Sequence, residues 1–234
     1  MSAHADLSAI KTNKILISDF DGTMTRRDFY DLVRQRWPLR KNDDPWEDYV
    51  AGRCTHFEAL AGIFGRIRAK PSEIDSLLDD MELDPGLPAA IARLTTAGWR
   101  VVVASAGCEW YIRRLLDRAG ITLEIHANPG EFSPSHGLQM RLPTTSRFFS
   151  PTTGIDKAAI VADARQRALR CAFCGDGRPD LASALSVPES ERFATGWLAQ
   201  ELTTSGKKFH PFTVWSDVAR QLIQHENHTP GCHS

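Results

Sequence analysis

Two kinds of hydrophobic pattern alternate along the chain. Short continuous apolar runs occur at Ile15-Leu16-Ile17, Val101-Val102-Val103 and Ala172-Phe173. Runs of this length predict strands buried on both faces, as in a parallel sheet covered by helices. They place strands over about 14–19, 100–104 and 170–174, with shorter ones near 123–125 and 191–194. Between them apolar residues return at helical spacing. This predicts helices over 87–97, 108–119, 155–168, 179–185 and 214–224, the first two stopped by Gly98 and Gly120. Residues 132–142 read as a hairpin turning at Ser135-His136-Gly137. Strand–helix alternation from 99 to 194 predicts an α/β fold built on a doubly wound parallel sheet.

The pattern changes between Arg26 and Asp84. A helix is predicted from Asp28 to Trp37, stopped by Pro38, followed by the polar stretch Arg40 to Pro45. Phe57, Leu60, Ala61, Phe64 and Ile67 share one helical face, as do Ile74, Leu77, Leu78 and Met81 after Pro71. No strand pattern interrupts this block. The expected organisation is a core of residues 13–25 and 85–226, an all-helical insertion over 26–84, and flexible termini at 1–12 and 227–234.

Composition narrows the partners. The 234 residues carry 28 Lys and Arg against 29 Asp and Glu, a net charge of −1, so no basic field points to nucleic acid or an anionic membrane. No stretch reaches the roughly 20 apolar residues of a membrane span. The polar start lacks an apolar signal core, and five scattered cysteines fit reduced thiols, so a cytoplasmic location is expected. Oligomeric state is not legible in this sequence.

Chemistry concentrates where the predicted strands end. The first runs into Ser18-Asp19-Phe20-Asp21-Gly22-Thr23. Ligands of open α/β sheets bind at the carboxyl ends of strands. Two close carboxylates repel unless a cation or proton lies between them. Mg²⁺, which takes oxygen ligands and is held by one or two carboxylates plus phosphate, fits that need. Ser105-Ala106-Gly107 follows the second strand, where a hydroxyl and free N–H groups suit phosphate oxygens, or where Ser105 simply caps a helix. Lys157 opens a helix, the end at which a cation is electrostatically disfavoured; a functional role accounts for the placement, or Lys157 is simply a solvated surface lysine. Lys14 and Lys70 are weaker candidates for that cation. Asp176 and Asp180 flank a glycine-containing turn in Gly175-Asp176-Gly177-Arg178-Pro179-Asp180.

These four segments, in this order, resemble the four motifs of the haloacid dehalogenase-like phosphatases, and the helical block resembles the type I cap of their phosphoserine-phosphatase-like branch. The resemblance spans about residues 14–195. It implies a phosphomonoesterase in which Asp19 is the nucleophile, forming an aspartyl-phosphate, and Asp21 is general acid and then base with a raised pKa. It further implies Mg²⁺ held by Asp19, Asp21, Asp176 and Asp180, with substrate contacts from Thr23, Ser105, Ala106, Gly107 and Lys157. Thr23 would also help position Asp21, and Gly107 would leave room for phosphate. Asp21 speaks against a dehalogenase. The implied partner is a small phosphorylated metabolite. The opening motif and the segment from Arg192 to Leu222 look most like methionine-salvage phosphatases. Phosphoserine phosphatase is the alternative substrate class, and a catalytically silent binding protein on the same fold is the alternative of another kind.

Other signals carry less. Cys171 and Cys174 lie three apart in a strand, so they face opposite ways and read as buried thiols rather than a metal pair. His225, His228, Cys232 and His233 crowd a polar terminus. Glu58 fits an exposed helical glutamate better than an amine contact. Met24 replaces a branched apolar residue at little cost in volume.

Overall fold

The structure, a computed structural model, describes residues 14–40 and 43–228. Strand β1 (Lys14–Ser18) is followed by four helices: α1 (Phe29–Arg36), α2 (Pro45–Val50), α3 (His56–Phe64) and α4 (Pro71–Asp79). The chain then returns through α5 (Leu87–Thr96), β2 (Trp99–Cys108), α6 (Glu109–Arg118) and β3 (Glu124–Asn128). Two small antiparallel pairs follow: β4 (Gly130–Ser133) with β5 (Gly137–Met140), and β6 (Phe149–Ser150) with β7 (Gly154–Ile155). The rest comprises α7 (Lys157–Arg167), β8 (Arg170–Gly175), α8 (Leu181–Leu185), β9 (Arg192–Ala194), α9 (Gly196–Thr204), β10 (His210–Pro211) and α10 (Trp215–His228).

The six-stranded sheet has the order β10-β9-β8-β1-β2-β3, and every pair in it is parallel. This is the expected α/β architecture. Alternation along β1 sorts the core into two layers. Leu16 joins Val101, Val103 and Cys174 under α5, α6 and α10, while Ile15 and Ile17 join Val102, Cys171 and Phe173 under α7 and α9. Cys171 and Cys174 thus lie on opposite faces, both buried and free, as their spacing requires. Met24 is fully buried in the first layer.

Helices α1 to α4 form an insertion whose two ends run antiparallel. Thr25 bridges Leu83, Arg26 N donates to Glu82 O at 3.1 Å, and Asp84 N donates to Met24 O at 3.0 Å. Helix α10 locks this stem: Ser216 N donates to Asp84 Oδ2 at 2.7 Å, and the buried Trp215 indole donates to Ser18 Oγ at 2.9 Å. Helix α2 begins where only a polar stretch was expected. Asp44 caps it through Trp46 N at 3.0 Å, and Pro45 supplies a preset φ at its first position. Strand β2 runs four residues past the expected Ala104, and helix α9 was not foreseen. Among the described residues no helix is long and apolar enough to cross a membrane. Residues 1–12, Cys232 and His233 lie outside the described residues.

Candidate active site

The site is assembled from the carboxyl ends of β1, β2 and β8 and the head of α7. Asp19 N extends the β1–β8 ladder by donating to Cys174 O at 2.9 Å. The chain then turns sharply. Phe20 O accepts from the N–H groups of Thr23, Met24 and Thr25, at 3.2, 2.8 and 3.2 Å. Gly22 sits in this turn with φ of +68°, and a Cβ there would meet Asp176 Oδ2 at 2.4 Å. Only glycine satisfies both the backbone and the close approach of the β8 loop.

After β8 the loop is stitched by Asp180, whose Oδ2 accepts from Asp176 N at 3.1 Å and Gly177 N at 2.9 Å. Asp180 is fully buried, and its other oxygen takes Lys157 Nζ at 2.7 Å. The same ammonium lies 2.7 Å from Asp19 Oδ1. Lys157 is the first residue of α7, behind the capping Asp156, so its misplacement relative to the helix dipole is answered by two carboxylates. Burial works against its charge, but Asp180 and Asp19 outweigh that and raise its pKa.

Asp19, Asp176 and Asp180 bring carboxylate oxygens within 4.8 Å of one another. Burial, with Asp180 next, pushes the Asp19 pKa well above the carboxylate range, and the same two causes push Asp176 up to about 7. Two buried acids paired with one ammonium, and a third, half-buried acid beside them, form an all-oxygen donor set short of positive charge, which suits a hard divalent cation such as Mg²⁺.

Asp21 is not one of these three carboxylates, although it was expected among the ligands. Its Oδ1 accepts from Phe29 N at 3.2 Å and its Oδ2 from the Tyr111 hydroxyl at 2.6 Å. Burial raises its pKa, and the Tyr111 bond offsets part of that rise. Thr23 does not position Asp21. The turn directs its hydroxyl to Asp176 Oδ1 at 2.9 Å, and it lies off the wall of the central cavity. At the end of β2, Ser105 is buried and its Oγ accepts from Gly107 N at 2.9 Å. The bare α-carbon of Gly107 makes room for the Tyr111 hydroxyl, since a Cβ there would lie 1.9 Å from it. Asn128, unremarked in the sequence, ties this strand end down by donating to Ala106 O at 2.7 Å and Thr153 O at 3.1 Å.

Asp19, Asp21, Ser105, Ala106, Gly107, Lys157 and Asp176 all line one cavity of roughly 240 Å³. Its far wall comes from the insertion: Tyr30, Trp46, Tyr49, His56, Leu60 and Phe64. The rings of Trp46 sit 4.3 Å from Tyr30 and 5.0 Å from Tyr49, a continuous aromatic surface. These residues were missed because aromatic residues on a short helix read as core. Glu58 is no part of the wall; it closes a capping box with Thr55.

The model of the haloacid dehalogenase-like hydrolases matches residues 16–184, and the chain belongs to that family. No curated protein matches the chain in sequence. Among solved structures, a probable phosphoserine phosphatase from Vibrio cholerae superposes with a TM-score of 0.62 at 18% identity, covering 93% of this chain and 67% of its own. A substrate-bound phosphoserine phosphatase gives 0.60 at 14% identity, over 91% and 98% of the two chains. A phosphoserine phosphatase carrying a phospho-aspartyl intermediate analogue gives 0.59 at 14%, over 92% and 99%. Identities this low speak for a shared fold.

Proposed function

We propose that the protein is a Mg²⁺-dependent phosphomonoesterase acting on a small phosphorylated metabolite through an aspartyl-phosphate. The observation that carries the reading is Lys157 Nζ held 2.7 Å from both Asp19 and Asp180, inside a cluster of three carboxylates of which those two are buried. A silent binding protein has no need to bury that much uncompensated charge.

In this reading Asp19 attacks phosphorus, and Lys157 and Ser105 stabilise the charge gathering on the phosphoryl oxygens. Asp21, held separately by Phe29 N and Tyr111, gives its proton to the leaving oxygen and later takes one from the attacking water. Asp19, Asp176 and Asp180 would hold Mg²⁺, which when bound supplies further positive charge for the phosphoryl group. Thr23 orients Asp176 for that task. The helices of residues 26–84 act as a cap whose aromatic wall excludes water during the first step, the attack of Asp19 on phosphorus.

The wall also bears on the substrate. Trp46, Tyr49, Leu60 and Phe64 present a largely apolar surface to the leaving group, which favours a methionine-salvage type substrate over phosphoserine. Phosphoserine stands second, supported by Asp28, Asp31 and Arg178 on the same cavity and by the phosphoserine phosphatases that share the fold.

The test is hydrolysis of p-nitrophenyl phosphate with Mg²⁺, with Mg²⁺ chelated, and by Asp19→Asn, followed by a panel of phosphorylated metabolites. Activity is expected only with Mg²⁺ and Asp19 intact. Phosphate release by the Asp19→Asn variant at the parent rate refutes the nucleophile assignment.

A further inference from the structure

We propose that Tyr111 is a positioning residue for proton transfer, fixing the Asp21 carboxyl at the angle from which it serves the leaving oxygen. The inference rests on the reading of Asp21 as general acid given above. Tyr111 lies on a face of α6 that otherwise buries Ile112, Leu115 and Leu116, and it is itself 1% exposed. Packing alone is satisfied by phenylalanine there. A buried hydroxyl costs free energy unless it is hydrogen-bonded, and its partner in this structure is Asp21, at 2.6 Å.

The surroundings are shaped to hold that contact. The Tyr111 ring stacks on Phe29 with centroids 4.4 Å apart and meets Phe64 edge-on at 6.4 Å. Phe29 in turn supplies the N–H that binds the other Asp21 oxygen. Gly107 leaves the phenol its path, as no side chain fits between Tyr111 and the end of β2. Each oxygen of Asp21 therefore receives one donor, one from the insertion and one from the core. The carboxyl cannot rotate about its Cβ–Cγ bond without breaking both.

The phenol itself neither gives nor takes a proton in the reaction. Burial and the neighbouring Asp21 raise its pKa well above the ordinary value, so it remains a donor throughout. The proton that reaches the leaving oxygen is the one carried by Asp21.

The test is a leaving-group series on the full-length protein with Mg²⁺: p-nitrophenyl, phenyl and benzyl phosphate. Their flat bodies suit the aromatic wall, and the basicity of the leaving oxygen rises in that order. Nitrophenolate departs without a proton, whereas benzyl alkoxide needs one. The quantity is kcat/KM, which reports steps up to departure of the leaving group and is unaffected by slow hydrolysis of the aspartyl-phosphate.

For Tyr111→Phe, which keeps the ring packing, kcat/KM on benzyl phosphate is expected to fall at least about tenfold, a modest share of what general acids contribute. On p-nitrophenyl phosphate the fall is expected to be several times smaller. A fraction of unfolded protein scales all three rates equally, so the ratio reads only folded enzyme. An equal loss on all three esters, or none, overturns the proposal. Asp21→Asn in the same series separates the failures. If it shows the leaving-group-dependent loss and Tyr111→Phe does not, Tyr111 alone is misassigned. If Asp21→Asn itself lacks that loss, the general-acid assignment falls and the role of Tyr111 with it. A parent protein inert toward all three sinks the phosphatase reading.

Discussion

Replacing Lys157 by methionine isolates the electrostatic design of the site, because the unbranched side chain is kept as far as Cε and only the ammonium is lost. The ammonium touches two carboxylates at 2.7 Å, in a place where all three groups are buried. At an effective dielectric of about 20, one such contact is worth roughly 6 kcal/mol of gross attraction, most of which offsets the cost of burying the ions. The net loss on removing one partner of a buried pair is about 3–5 kcal/mol. For a chain of this size that lowers the melting temperature by about 10 °C. The variant also holds three clustered carboxylates, two of them buried, with no counter-charge of their own. Mg²⁺ then has more to neutralise, so the rise in melting temperature on adding Mg²⁺ is expected to be larger in Lys157→Met than in the parent. Activity moves the other way, falling about 10²–10³-fold, because charge on the phosphoryl group loses a preorganised partner. Thermal melts with and without Mg²⁺ and kcat/KM on p-nitrophenyl phosphate read both effects. An unchanged melting temperature, or a smaller Mg²⁺ response than the parent shows, refutes the claim that Lys157 is the built-in counter-ion of the cluster.

Two further perturbations probe neighbouring parts of the site. Gly22→Ala forces a side chain into a backbone at φ of +68° and against Asp176, 2.4 Å from its carboxylate oxygen. A stability loss of about 1–3 kcal/mol is expected, together with a higher Mg²⁺ requirement for activity; an unaltered Mg²⁺ titration disproves the coupling of this turn to Asp176. His56 is held neutral, its pKa lowered from 6.5 to about 4 by burial and then by Lys157. The unfolded chain takes up that proton below about pH 6.5 and the folded one only near pH 4, so stability is full above 6.5 and falls as pH drops through this window. The contribution is up to about 3 kcal/mol. The melting temperature of His56→Leu is expected to fall less between pH 7.5 and 5 than that of the parent, and parallel curves contradict the assignment.

What the sequence disclosed follows from how local each signal is. Strands β1, β2 and β8 were legible because a strand covered on both faces must be continuously apolar. The segments after β1 and β8 were legible because acids beside glycine, at a strand end, have few structural uses. What the sequence withheld is contact across the fold. Thr23 was assigned to Asp21, two residues away, yet its hydroxyl meets Asp176, 153 positions later, because three hydrogen bonds to Phe20 O turn it toward β8. Tyr111 was indistinguishable from a core aromatic, since its partner lies 90 residues earlier. Helix α2 did carry a readable signal in Asp44-Pro45, a cap followed by a first-position proline, which the surrounding polar run concealed.

The same long-range contacts explain why the first loop sits at the centre of the molecule. Asp21 is gripped by α1 from the insertion and by α6 from the core, so its orientation depends on how those two units are packed. Ion pairs also join them, Arg114 to Asp75 at 2.8 Å and Arg118 to Asp79 at 3.0 Å. These are partly exposed, and such pairs contribute at most about 1 kcal/mol each. The stacked Phe29 and Tyr111, both buried, carry more: aromatic burial exceeds a surface ion pair severalfold. The groups that seat the insertion on the core are therefore the groups that orient the Asp21 carboxyl. Any movement of α1 away from α6 separates Phe29 from Tyr111 and releases one of the two bonds to Asp21. In the proposed reaction, proton transfer to the leaving group is then available only while the aromatic wall is in place over the substrate.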